Sequence, residues 1–148
     1  MQIWVDADAC PRVIRDILLR AAARRSVVVT LVANAPMPIR RTPNVKLVRV
    51  PSGFDEADRY IEQSVAAGDL VITADVPLAA DVIGRGASAL TPRGQMLTGD
   101  NIGERLTMRD AMQDLRDAGV ELGGPSSFSA RDRQDFANAL DRFLTANR

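Results

Sequence analysis

The chain has no histidine, one cysteine (Cys10) and one lysine (Lys46) among its 148 residues, and aromatic residues make up only 4% of it. Without histidine, the commonest zinc ligand and the usual general base are both missing. A single cysteine excludes an internal disulfide and a thiolate zinc cluster, and no disulfide-linked partner is expected. No apolar run approaches the roughly 20 residues that span a bilayer. The opening Met1-Gln2-Ile3-Trp4-Val5-Asp6 sets an acid where a signal peptide needs its apolar stretch. The expectation is a soluble cytoplasmic protein with no membrane partner. Net charge is also lacking: 19 basic residues balance 19 acidic ones, so there is no global basic field of the kind that marks many nucleic-acid binders. The balance is uneven along the chain, with nine basic residues against three acids in 1–50 and three against eight in 51–100.

What is present is a core and a rhythm. Hydrophobic residues make up 46% of the chain, and the length suits one domain, expected over 1–148. Strand and helix signals alternate through the first ninety or so residues, the pattern of βαβ units on a parallel sheet. Ile3-Trp4-Val5 reads as the first strand. Val13, Ile14, Ile17, Leu18 and Ala21 recur at helical spacing after Pro11. The unbroken β-branched run 27–32 predicts a strand covered on both faces, central or next to centre. Residues 45–50, 70–73 and 87–90 complete about five strands, with helices over 55–67 and from Pro77 to about Gly84. Residues 33–44 hold Pro36, Pro38 and Pro43 with Arg40 and Arg41 and read as a loop, either a solvated connection or a basic flap that contacts phosphates. Beyond the last strand, 91–99 reads as a loop carrying Arg93. A helix over 102–118 follows, with Leu106, Met108, Met112 and Leu115 as core. Ser129 with Asp132 reads as a capping box for a final helix striped by Phe136, Leu140, Phe143 and Leu144.

Five carboxylates, Asp6, Asp8, Asp55, Asp58 and Asp75, fall just after three of the strand runs. If those runs are parallel neighbours, the acids meet in the crevice outside the C-terminal strand ends. Clustered there they repel one another unless a cation lies between them, and all-oxygen ligands suit Mg²⁺ or Mn²⁺, one or two ions. Capping is the rival account, because aspartate favours helix starts for its bond to free backbone N–H groups. It leaves a surplus: Asp6 and Asp8 cannot both cap one helix, and Asp58 lies a turn inside its own. Asp69 begins its strand at the opposite edge and is structural.

Other chemistries fit less well. Cys10 at a helix start lacks the arginine of a Cys-x₅-Arg phosphatase loop, since position 16 is Asp16, so a buried or capping thiol is expected. Val5-Asp6-Ala7-Asp8 also resembles the aspartyl-nucleophile motif of haloacid-dehalogenase-type phosphatases. Lys46, inside a strand, offers no candidate for the lysine those enzymes use.

Val5-Asp6-Ala7-Asp8-Ala9-Cys10-Pro11, Gly53-Phe54-Asp55-Glu56-Ala57-Asp58 and the stretch from Gly68 through Thr73-Ala74-Asp75 to Ala79 resemble the YaiI/YqxD family of uncharacterised bacterial proteins. Thr91-Pro92-Arg93-Gly94, Asn101-Ile102 and Gly123-Gly124-Pro125 extend that likeness over nearly the whole length. The chain is also similar to the PIN-like nuclease superfamily, which implies a three-layer α/β Rossmannoid sandwich with a mainly parallel sheet and helices on both faces. It further implies Mg²⁺- or Mn²⁺-dependent phosphodiester hydrolysis, with RNA as the expected partner. On that likeness Asp6 matches the acid after strand one, Asp58 the acid before the strand-Thr-x-Asp motif, and Thr73 and Asp75 the two polar residues of that motif. The superfamily's usual acid after the second strand has no counterpart in 33–44, which leaves Asp8 or Asp55 to replace it. Arg93, Arg40, Arg41 and Asn34 are the expected contacts to the nucleic-acid backbone. The competing expectation is a nucleic-acid or nucleotide binding module that breaks no bond.

Overall fold

The protein is described here by a computed structural model covering residues 1–39, 42–53, 55–124 and 127–147. Six strands form one sheet: β1 (Gln2–Asp6), β2 (Val28–Ala33), β3 (Val45–Arg49), β4 (Leu70–Ile72), β5 (Ser88–Leu90) and β6 (Met96–Leu97), in the order β3-β2-β1-β4-β5-β6. The first five run parallel and β6 pairs antiparallel with β5. The two-residue β6 lies in the stretch expected to be a loop. The Thr91 to Gln95 turn folds it back, with the Gln95 carbonyl accepting from the Thr91 N–H and the Thr91 carbonyl from the Gly94 N–H. Gly94 has φ +88°, and a Cβ there would lie 2.5 Å from the backbone of Asp135, so only glycine fits where the turn touches the last helix.

Five α-helices flank the sheet: α1 (Arg12–Arg25), α2 (Glu56–Ser64), α3 (Val76–Gly84), α4 (Ile102–Asp117) and α5 (Ala130–Ala146). Alternation along the strands divides the core into two layers. Ile3, Val5, Val29, Leu31, Leu70 and Ile72 face α1 and α5, where Ile14, Leu18, Phe136 and Leu140 close over them. Trp4, Val32 and Val71 face α2 and α3, meeting Ile61, Leu78 and Val82. The result is a three-layer α/β sandwich. Ser129 and Asp132 form the expected capping box at α5.

Two expectations are corrected. Val13 of α1 is exposed, its place in the buried stripe taken by Ala22. In α4 no residue is buried: Met108 is 62% and Leu115 42% exposed, and Leu106 and Met112 are only partly covered. The helical period of those residues is real, but α4 only rests beside α3, and nothing among the described residues buries the stripe. No helix among the described residues is long and apolar enough to cross a membrane.

Candidate functional site

The chain runs outward from β1 to β2 and β3, then returns through α2 to β4 on the other side of β1. The strand order therefore reverses between β1 and β4, and the crevice above their C-terminal ends is where an open α/β sheet binds ligands. Asp6 ends β1, with Thr73 and Asp75 just past β4. The third run, β3, is no neighbour of β1, as β2 intervenes. Asp55 and Asp58 reach the same rim because α2 crosses back over the sheet, not through adjacency of their strand.

A buried hydroxyl ties the two central strands together. Thr73 is 1% exposed; its Oγ1 donates to Asp6 Oδ2 at 3.3 Å and accepts the Asp75 N–H at 3.0 Å. With its proton engaged on Asp6, Thr73 positions that carboxylate and does not present its hydroxyl to the crevice. Asp75 caps α3, its Oδ1 accepting the Leu78 N–H at 2.9 Å. The capping account thus holds for Asp75. It fails for Asp55, which occupies the position before α2 at φ 62° without a side-chain cap bond, and for Asp58, inside the helix. Asp8, in the short 3-10 turn Ala7–Ala9, caps nothing on α1; it reaches across to accept from the Asn34 N–H at 2.7 Å and the Ala35 N–H at 3.4 Å.

Asp6, Asp8, Asn34, Asp55, Glu56 and Asp58 line an open depression of about 270 Å³. Burial, then the charges of Asp75 and Asp8, raises the Asp6 carboxyl above its usual range, against the Thr73 hydroxyl, which lowers it. Asp58 is pushed up to about 7 by burial, by the charges of Asp75, Asp6 and Asp55, and by a hydrogen bond shared with Asp75. Asp6, Asp58 and Asp75 therefore sense one another. Glu56, which sequence reasoning passed over, also faces the depression and lies 3.7 Å from Arg59; its place beside Asp55 at the helix start was the available signal.

The donors are oxygen alone, a set that suits a hard divalent ion. As placed, however, no three acidic or thiol side chains among the described residues are arranged to hold a metal ion. The five-carboxylate cage anticipated from sequence is not preassembled, because Asp8 is drawn to the 34–35 amides and Asp75 to the start of α3. Arg93 lies apart from the depression: it pairs with Asp132 at 2.9 Å and sits over the Phe128 ring, fastening the β5–β6 turn to α5. Arg40 and Arg41 fall outside the described residues. Cys10 is buried, its thiol pushed up to about 12 chiefly by desolvation, which makes it inert as a nucleophile.

The profile of the uncharacterised YaiI/YqxD family matches residues 4–146. The chain belongs to that family. UPF0178 proteins from several bacteria are similar over its whole length. That of Dechloromonas aromatica is 60% identical over 144 residues, covering 97% of this chain and 96% of its own. That of Alkalilimnicola ehrlichii is 58% identical over 148 residues, with both chains fully covered, and that of Saccharophagus degradans is 53% identical over 145 residues, covering 98% of this chain and 96% of its own. No solved structure matches.

Proposed function

We propose that this protein is a divalent-metal-dependent phosphodiesterase acting on single-stranded RNA, with Asp6, Asp58 and Asp75 as its working carboxylates. One observation carries the reading: Asp6 and Asp58 line one depression at the C-terminal ends of the strands, beside Asp75, and burial together with the neighbouring acids raises both of their carboxyls. Structural carboxylates are normally satisfied, and groups held in perturbed states cluster where chemistry is done. The likeness of Asp6, Asp58 and the Thr73-Ala74-Asp75 motif to PIN-like nucleases supports the same assignment.

Asp6 and Asp75 would hold Mg²⁺ or Mn²⁺, with Asp58 completing the set and Asp8 or Asp55 available as outer partners. A bound cation there supplies charge for the developing phosphorane and a more acidic water. Thr73 keeps Asp6 aimed into the crevice, Asn34 stands at its edge for a phosphate oxygen, and the Arg40-Arg41 segment provides basic contacts to the strand. The test combines turnover and binding. Purified protein with Mn²⁺ is expected to cut single-stranded RNA and to gain thermal stability from the ion. Asp6→Asn and Asp75→Asn are expected to lose both at unchanged circular dichroism, with cutting reduced at least about a hundredfold.

The missing cage favours one alternative, a binding module of the same fold that breaks no bond. RNA binding indifferent to chelator, with no products, would establish it in place of the nuclease.

A further inference from the structure

Two surfaces far from the acidic crevice are left incomplete, and they complement one another. The first is α4. Met108, Met112 and Leu115 form a stripe at helical spacing, and Val120, 45% exposed, continues beyond the helix end. Over 108–121 the acids Asp110, Asp114, Asp117 and Glu121 outnumber Arg109 and Arg116, and Arg109 pairs with Asp110 at 3.2 Å, so the arm is apolar with a small acidic excess carried by Asp114, Asp117 and Glu121. The second is a groove of about 290 Å³ between α1 and α5. Its floor includes Ile17, Ala21 and Leu140, and its rim carries Arg20, Arg24 and Arg133. None of these three guanidiniums has an ion-pair partner among the described residues, whereas their neighbour Arg25 is tied to Asp141.

We propose that α4 of one copy of this chain docks into the α1/α5 groove of a second copy. The groove is mixed, with apolar side chains between arginines: an apolar helix face laid over Ile17, Ala21 and Leu140 gains from burial of the Met108-Leu115 stripe, and the carboxylates outside the Arg109 pair meet the arginine rim. The groove lies on the α1/α5 face of the sheet and α4 packs beside α3 on the other, so the occupant comes from another molecule. A phosphate backbone would neutralise the arginines but leave α4 uncovered; a second copy covers both. The contact joins two different patches, so it is heterologous and builds a closed ring or an open chain.

That asymmetry sets the test, which is independent of any nuclease activity. By light scattering after gel filtration over a wide dilution range, the wild-type chain is expected to exceed its 16.0 kDa monomer mass. Leu115→Asp, which breaks the arm, and Arg24→Glu, which breaks the groove, are each expected to weaken self-association at least about tenfold. Both positions are exposed, and circular dichroism checks that each variant folds. Mixed in equal amounts, the two variants are expected to form a dimer, because one keeps a sound groove and the other a sound arm. A wild-type chain that stays monomeric at every concentration overturns the proposal. So does a mixture that fails to associate, which would indicate a like-with-like contact. An Arg24→Glu chain that loses affinity for single-stranded RNA at unchanged mass would assign the groove to polyanions instead.

Discussion

The two ends of β4 carry the same chemistry under opposite conditions. Asp69, just before the strand, is 4% exposed and fully employed: its oxygens accept from the Gln2 N–H at 2.9 Å, the Trp4 indole at 3.0 Å and the Ala66 N–H at 2.9 Å. It joins the start of β1 to the α2–β4 connection. At the other end Asp75 accepts the Leu78 N–H as the cap of α3, but its charge, with burial, raises the carboxyls of Asp6 and Asp58 beside it. A carboxylate surrounded by N–H groups stabilises a fold, whereas carboxylates surrounded by each other weaken it. The same side chain thus secures one edge of the sheet and is crowded by its own kind at the other.

The sharpest way to break this comparison is Asp69→Ala. It orphans the buried Trp4 indole N–H and two partly buried backbone N–H groups and is expected to cost about 2–4 kcal/mol, seen as a large drop in the urea midpoint. A loss below about 1 kcal/mol would show that the two ends do not differ in kind. Asp58→Asn should act in the opposite direction. Its folded-state carboxyl is raised from 3.8 to about 7, so ionisation weakens the fold. That penalty is absent below the unfolded value, grows as pH rises and is complete above about 7. The amide is therefore expected to stabilise by roughly 1–2 kcal/mol at pH 8, a figure reduced for partial exposure, and to give no gain near pH 4. Thermal melts across that range measure it. Asp8→Ala is the mildest change: losing its bonds to the Asn34 and Ala35 amides at an exposed site should cost about 0.5–1 kcal/mol. Faster hydrogen exchange confined to those two amides is the expected signature.

Local signals were the ones legible in advance. The capping box at Ser129 and Asp132 spans three residues, and the β-branched run that became β2 announces burial on both faces by composition alone. Asp69 could be read as structural from its place at a strand start. Longer-range facts were not legible. Leu106, Met108, Met112 and Leu115 have the period of a buried helix face, yet periodicity records that a face is apolar and not whether anything covers it. Arg93 pairs with Asp132, 39 residues away, and β6 exists only because a turn lays two residues against β5. The acids of α2 were placed at the right rim for the wrong reason, by an assumed neighbouring of β1 and β3.

By itself, the sequence determined the alternation of strands and helices, the absence of histidine chemistry, and an excess of aspartates beyond what capping needs, because each is written in composition and short spacing. The tertiary structure decided the strand order, and with it that Asp6 and Asp75 flank one crevice while Asp58 arrives on a crossing helix. It also decided which carboxylates found amide partners. Those outcomes depend on contacts between residues tens of positions apart, whose energies become defined only once the chain has closed on itself.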